Sequence, residues 1–229
     1  MRRCSLWVAV VLFVVLPTRA RAQLPIGLRG GVNLSKFVGG SSEADAKRGL
    51  DLGLAFSPLR VGPVSLVVEG YYRQKGAKTL ENAVGGTEPP QSVELGLDYV
   101  EIPILARVDL PLAGPLRLYL QGGPAFGWQL DCGVTLDLSG AQSSPTTSCD
   151  DLLGGGFQDT LRSYELGVAG GGGLELVVLR GMGAVTLDAR VTRGLTGLSN
   201  DDQAGSNPKN QSVSLMLGYT LHPGIGGMP

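Results

Sequence analysis

After residue 23 the chain alternates between apolar and polar side chains along eight segments. In one of them, Leu66 and Val68 fall on one parity, while Glu69, Arg73 and Lys75 fall on the other. This period of two predicts β-strands with two chemically different faces. Most segments span about 9–15 residues, which matches the length of a tilted membrane-crossing strand rather than an ordinary strand of five or six residues. Every charge within the segments lies on one face.

The connections between these segments alternate between short and long, as they do in outer-membrane barrels with short periplasmic turns and long external loops. The pattern predicts an up-and-down barrel with both termini in the periplasm. The short turns are Pro58–Pro63, Pro111–Pro115 and Leu179–Gly183. The long connections are Lys36–Lys47, Gly76–Ser92, Asp131–Arg162 and Gly194–Gln211.

The period alone does not say which face points outward, and a soluble periplasmic ligand-binding barrel of the lipocalin kind would bury its apolar face. Two features favour a membrane barrel. The charged face is rich in small residues, which a narrow interior needs. The apolar face carries aromatic residues at the strand ends, as interface girdles do. These residues are Tyr72, Phe126, Trp128 and Tyr164 near the long loops, and Phe56 and Tyr219 near the short turns. The predicted fold is therefore all-β, an eight-stranded antiparallel up-and-down transmembrane β-barrel.

In this orientation the lumen holds charges of both signs. Buried charges must pair, and eight strands leave room only for their own side chains, so we expect a plugged polar lumen. A narrow pore is the alternative. Glu101 and Lys75 are expected nearer the rim. The predicted lumen network comprises Arg29, Asp51, Glu69, Arg73, Arg107, Asp109, Arg117, Glu165, Glu175, Asp188 and Arg190.

The first 22 residues read as a cleavable signal peptide, with a basic start, an apolar core and an Ala20-Arg21-Ala22 cleavage site. The predicted domains are then a signal peptide over 1–22, a barrel over 23–221 and a periplasmic tail over 222–229.

Removal of the leader leaves Cys132 and Cys149, and an even cysteine count in an exported protein predicts a disulfide. No basic patch stands out in a chain with a formal net charge of −1, so we expect no nucleic-acid partner.

Four stretches resemble the PorT-like outer-membrane β-barrel domain family, which is distantly related to the OmpA and OmpX barrels. They are Gly27–Ser35, Glu69–Gly76, Leu97–Leu105 and Gly122–Pro124. The resemblance covers about residues 24–221. It implies an integral barrel of the bacterial outer membrane, and it says almost nothing about activity. One departure is the tail after Leu221, because such barrels usually end on the last strand.

Enzymatic chemistry is not expected. The enzymes among small outer-membrane barrels rely on a histidine as a general base, and the one histidine here, His222, follows the last strand at the short-turn end. The sequence predicts no cofactor and no metal site. The predicted partners are the lipid bilayer, lipopolysaccharide, the outer-membrane assembly machinery and a protein met by the external loops. The predicted role is structural or surface-interacting.

Pro103 and Pro124 predict a bulge or a missing ladder hydrogen bond within their strands.

Overall fold

The computed structural model describes residues 25–39, 45–81, 91–138, 146–153, 162–178, 182–198 and 207–222. The predicted signal peptide and residues 223–229 of the predicted tail lie outside the described residues. No helix in these ranges is long and apolar enough to cross a membrane. The elements are β1 (Ile26–Val38), β2 (Asp45–Val61), β3 (Val64–Glu81), β4 (Gln91–Pro111), β5 (Leu116–Leu138), β6 (Thr147–Ser148), α1 (Cys149–Leu153), β7 (Tyr164–Val178), β8 (Gly183–Gly194) and β9 (Lys209–Leu221).

Eight long strands close into a barrel. Each pairs in antiparallel fashion with its neighbours in the order β1-β2-β3-β4-β5-β7-β8-β9, and β9 returns to pair with β1. The two-residue β6 adds to the loop end of β5. Around the closed wall, where the eight long strands overlap, no strand edge is left unpaired, which removes the usual route to strand-to-strand aggregation there. The predicted eight-stranded antiparallel barrel is confirmed.

The two faces of the wall differ in chemistry as the alternation predicts. Leu52 and Leu120 point outward and are 57% and 56% exposed. Arg73 and Arg190 point inward and are 1% and 2% exposed. A soluble barrel would have the opposite arrangement, because water would face the charges and the core would collect the leucines.

Both prolines within the strands interrupt the ladder without shifting it. The β3–β4 pairing stops at Val68 opposite Ile104 and resumes at Tyr71 opposite Glu101, on either side of Pro103. The β4–β5 pairing is likewise interrupted across Pro124, and its register is the same on both sides. Proline has no N–H to donate, so the local loss of pairing is the expected cost.

The strands extend further than the sequence predicts at the long-loop end. The predicted loops over 76–92 and 131–162 are partly strand, because β3 continues to Glu81, β4 starts at Gln91 and β5 continues to Leu138. Polar composition suggested loops there, but a paired ribbon satisfies its own backbone hydrogen bonds and needs no apolar face once it leaves the bilayer. The β3–β4–β5 ribbon therefore rises above the rest of the barrel wall.

Candidate functional site: the charged lumen and its outer mouth

The middle of the lumen holds a group of ion pairs centred on the carboxylate of Glu69. This carboxylate, on β3, lies 2.9 Å from the guanidinium of Arg29 and pairs with both terminal nitrogens of Arg190. Asp188 lies 3.7 Å from Arg29 and 3.4 Å from Arg190, which reaches in from β8. Since β3 and β8 stand on opposite sides of the closed barrel, the Glu69–Arg190 pair spans the lumen.

A second group of ion pairs lies closer to the loop end. The ammonium of Lys75 lies 2.7 Å from Glu101 and 3.3 Å from Glu165, and Arg73 donates to Glu101 at 2.7 Å. Lys75 and Glu101 lie nearer the loop end than the central group, and each is 1% exposed. The wall continues beyond them, because β3 and β4 are longer than the alternation suggested.

Two further contacts bridge opposite walls of the barrel. Arg73 on β3 donates to the hydroxyl of Thr192 on β8 at 3.2 Å. Asn210 on β9 lies 3.5 Å from the hydroxyl of Tyr99 on β4 and donates to Glu165 at 2.6 Å. Together with Glu69–Arg190, these contacts close the lumen at three successive positions along the strands.

The turn end has its own ion group. Arg107 pairs with Asp109 at 2.7 Å and with Glu175 at 2.5 Å. Two rim arginines complete it: Arg60 lies 3.1 Å from Asp109, and Arg117 lies 3.7 Å from Glu175. Arg117 is 39% exposed and thus belongs to the rim rather than to the buried network. The alternation of side chains does not predict Arg60 as part of this ion group, because Arg60 lies beside a turn.

The lumen charges balance once the rim is included. Seven acidic and five basic side chains are buried among the described residues, and Arg60 and Arg117 at the rim each pair with one of the acids. Such compensation is required, because an uncompensated buried charge costs several kcal/mol. The acids are Asp51, Glu69, Glu101, Asp109, Glu165, Glu175 and Asp188, and the bases are Arg29, Arg73, Lys75, Arg107 and Arg190.

Uncharged polar side chains, which the search for charges missed, complete this network. The hydroxyl of Tyr119 and the amide of Gln121 donate to Asp188 at 2.9 and 2.6 Å, and Asn33 donates to Asp51 at 2.7 Å. All three residues occupy the same alternating positions of their strands as the charges do. This alternation could have identified them as lumen residues.

Glycine makes room for the large rings in the lumen. Tyr119 pairs across the strands with Gly173, and a Cβ atom at Gly173 would lie 2.5 Å from the Tyr119 hydroxyl. The guanidinium of Arg107 stacks over the same ring, 3.8 Å from its centroid. The small residues of the polar face therefore allow the interior to be filled with aromatic and charged side chains.

At the mouth on the loop end, a β-bulge reverses the polarity of β5. The pairing with β4 passes from Gln129 opposite Tyr99 to Asp131 opposite Asp98, so Leu130 is the extra residue. A bulge of this kind shifts the facing of every residue beyond it. Leu130 and Asp131 are consequently both exposed, and Cys132 turns into the lumen with 1% exposure.

An apolar cluster, which we call the mouth cluster, fills the lumen above the ion pairs. Leu97, Tyr99, Cys132, Val134 and Cys149 are all buried in it. The predicted disulfide joins Cys132 to Cys149 with a Cα–Cα distance of 5.5 Å. Partly buried side chains from β1, β4 and the segment after β8 pack against the cluster: Phe37, Leu95 and Leu198.

The short helix α1 presents Cys149 to this cluster. The hydroxyl of Ser148 accepts the backbone N–H of Asp151 at 3.3 Å, which is an N-cap, and β6 holds the preceding chain against β5. The disulfide and the cap together fix α1 over the mouth.

The aromatic residues predicted to form girdles lie on the outward face. At the loop end, Trp128 pairs across the strands with Tyr164 and with Val100, which in turn pairs with Tyr72. Trp128, Tyr164 and Tyr72 are 47%, 51% and 39% exposed, whereas Phe126 is partly buried. At the turn end, Phe56 and Tyr219 are 41% and 37% exposed.

His222 follows β9 at the turn end, where its backbone N–H donates to Met182 at 2.9 Å. Partial burial lowers the pKa of its imidazole below the ordinary value. Within the described ranges, no group of three or more histidine, cysteine, aspartate or glutamate residues could hold a metal ion.

The sequence matches one known protein family. The model of the outer membrane protein beta-barrel domain matches residues 19–200. The chain belongs to this family. It is thus an integral eight-stranded barrel of the outer membrane. No curated protein sequence matches the chain.

Solved structures whose chains fold in a similar way include three outer-membrane barrels. Neisserial surface protein A (NspA) is 13% identical, with a TM-score of 0.49 over 87% of this chain and 97% of that chain. Ail, the attachment invasion locus protein of Yersinia pestis, is 15% identical, with a TM-score of 0.43 over 86% and 98%. The outer membrane protein OprG from Pseudomonas aeruginosa is 13% identical, with a TM-score of 0.45 over 86% and 94%.

Proposed function

We propose that this protein is a closed outer-membrane barrel with a structural or surface-interaction role, carried out by its long-loop end. The observation that carries the proposal is the Glu69–Arg190 pair, which joins opposite walls in the middle of the lumen. A charged side chain on each wall would have to separate from its partner before a solute could pass. Such separation leaves buried charges uncompensated, which is costly.

The mouth cluster adds a second closure of different chemistry. Leu97, Cys132 and Val134 are each at most 2% exposed, and the disulfide holds α1 against them. An ion entering from this end would meet an apolar layer before it met the ion pairs. Both layers favour a plug over a narrow pore.

The loop end is the interacting end in this proposal, and both termini are periplasmic. The β3–β4–β5 ribbon projects there, whereas the opposite end has turns of a few residues such as Gly62–Pro63. Between Trp128 in the girdle and Leu138 at the end of β5, the ribbon rises by about 25 Å. This height follows from a rise of about 3.3 Å per residue along a strand that is tilted by about 40°. The partners are lipopolysaccharide around the wall, a protein at the ribbon and the assembly machinery during insertion. The PorT-like group is the subfamily that the quoted motifs favour.

The proposal includes no enzymatic activity. The one histidine of the sequence lies at the turn end, away from the ribbon and the mouth cluster. The carboxylates of the lumen are engaged by arginine and lysine, as for Glu101 with Arg73 and Lys75, and do not face an open cleft. Purified protein should therefore leave the acyl chains and phosphates of outer-membrane lipids intact in mass spectra.

Planar-bilayer recording tests the closed lumen. Protein that migrates faster on unheated than on heated gels has a closed fold, and this material is the input. We expect no reproducible conductance steps from it. Regular ohmic steps from the same material would contradict the plug and favour a narrow pore.

Epitope insertion tests the orientation. Gly39 at the loop end and Gly114 at the turn end both adopt a positive φ, and a Cβ at either would meet open space, so we choose both as insertion sites. An epitope after Gly39 should bind antibody on intact cells, whereas the matched insertion after Gly114 should bind only after permeabilisation. The reverse result would mean that the loop end faces the periplasm.

A further inference from the structure

Four basic residues lie on the outward face of four adjacent strands at the loop end. They are Arg48 on β2, Lys36 on β1, Lys209 on β9 and Arg193 on β8, and we call them the basic row. Arg48, Lys36 and Arg193 are exposed, and Lys209 is partly exposed. Toward the turn end, the outward side chains of these strands are apolar or small except for Gln211, which lies opposite Lys36 and Arg193.

The strand register spaces the basic row evenly. Lys36 lies opposite Gln211, which lies opposite Arg193, so no two cations of the row face each other directly. Arg48 lies opposite Leu34 and Lys209 opposite Val38, so each is diagonal to Lys36. Diagonal neighbours on adjacent strands are about 7–8 Å apart. An anion placed between two diagonal neighbours can contact both cations.

The basic row makes no ion pair with any described residue, unlike the other lysines at this end. Lys47 and Lys78 both pair with Glu94, at 3.3 and 2.6 Å. Along β1, β8 and β9 the described outward positions carry no carboxylate, and the same is true of β2 from Arg48 toward the turn end. Among the described outward positions from the row toward the turn end, the positive charge of the row therefore has no counter-charge.

The basic row also lies at the level of the aromatic girdle. Its nearest outward neighbours toward the turn end are Leu34, Leu50 and Val191, which are 46–58% exposed, and the partly buried Gln211. The outward girdle residues at this end, Tyr72, Trp128 and Tyr164, lie on the other strands, β3, β5 and β7. One half of the loop-end interface is thus aromatic and the other half is basic, which places the row at the headgroups.

We infer that the basic row binds the phosphate groups of a phosphorylated glycolipid of the outer leaflet, that is, of lipopolysaccharide. The inference rests on the proposed function, because it takes the loop end as external. A glycolipid with several phosphates can occupy more than one gap between the four cations at once, whereas a phospholipid with one phosphate occupies a single gap. Attraction to anionic headgroups is worth about 1 kcal/mol for each basic residue, which is roughly fivefold in affinity.

The test is a titration of the folded, detergent-solubilised full chain with lipid A that carries two phosphates, followed by native mass spectrometry. Lys36→Gln with Arg48→Gln removes two cations of the row, and we expect the Kd to rise about 30-fold. The matched control, Lys47→Gln with Lys78→Gln, also removes two cations from this end, and we expect an unchanged Kd. Heat-dependent gel migration verifies that each variant is folded.

Three results would overturn the inference. They are wild-type affinity in the Lys36→Gln, Arg48→Gln variant, an equal loss in the control, and equally tight binding of phosphatidylglycerol or of dephosphorylated lipid A. Binding in detergent does not depend on orientation in the cell. A reversed epitope result at Gly39 with intact lipid A binding would therefore refute the proposed orientation, and not the site.

Discussion

The middle of the lumen and its mouth belong to the same barrel but have opposite chemistry. At the middle, β3 and β8 turn charges such as Glu69 and Arg190 inward, and leucines face outward. At the mouth, β4 and β5 turn Leu97 and Val134 inward, and Asp131 faces outward. The comparison teaches that polarity follows the medium outside the wall: where lipid touches the barrel the interior takes the charges, and where water touches it the interior becomes apolar again.

The bulge at Leu130 is the device that makes this change on β5. A strand that kept its parity would have continued to place even-numbered residues outward, and Cys132 would face away from Cys149. One extra residue turns Cys132 inward, so the disulfide and the apolar cluster both depend on the bulge.

Removing a central charge should have the largest effect. Glu69→Gln leaves the guanidinium groups of Arg29 and Arg190 with less compensation in the buried centre, and we expect the free energy of unfolding to fall by about 3–5 kcal/mol. Urea unfolding of the protein in lipid vesicles measures this free energy. An unchanged midpoint would show that the central ion pairs do not hold the lumen closed.

Removing the disulfide should weaken the mouth by a smaller amount. In Cys132→Ala with Cys149→Ala the closed loop is lost, and the expected loss is about 3 kcal/mol from chain entropy. Unfolding of this variant should no longer respond to dithiothreitol, whereas wild type should approach the variant when reduced. Equal stability of oxidised and reduced wild type would contradict a stabilising role for the disulfide.

A pair of arginine substitutions on the outward face locates the change of medium. Leu215 lies midway along β9, four residues from Tyr219, whereas Leu130 lies beyond Trp128 in the ribbon. Both side chains are exposed. Leu215→Arg should cost about 2 kcal/mol more than Leu130→Arg, since arginine is costly at the midplane and nearly neutral at the interface. Similar costs in vesicle unfolding would mean that the bilayer does not end at the girdle.

Breaking an exposed ion pair should have the smallest effect. Glu94 pairs with Lys47 and Lys78 in the ribbon and is about one-quarter exposed. Glu94→Gln should change the free energy of unfolding by at most about 1 kcal/mol, because water and salt screen such pairs. A loss as large as that of Glu69→Gln would remove the distinction between the two regions.

The alternation of side chains by itself determined the strand count, the antiparallel order and the inward face of the charges within the eight predicted segments, because a strand has a strict period of two and the hydrocarbon of the bilayer tolerates no charge. It could not give the partners of those charges: Glu69 meets Arg190 from 121 residues away, and only the closed register decides that distance. Nor could it give the reversal at the mouth. A single unpaired residue, Leu130, inverts the pattern there, and the position of a bulge depends on which two strands meet and not on either one alone.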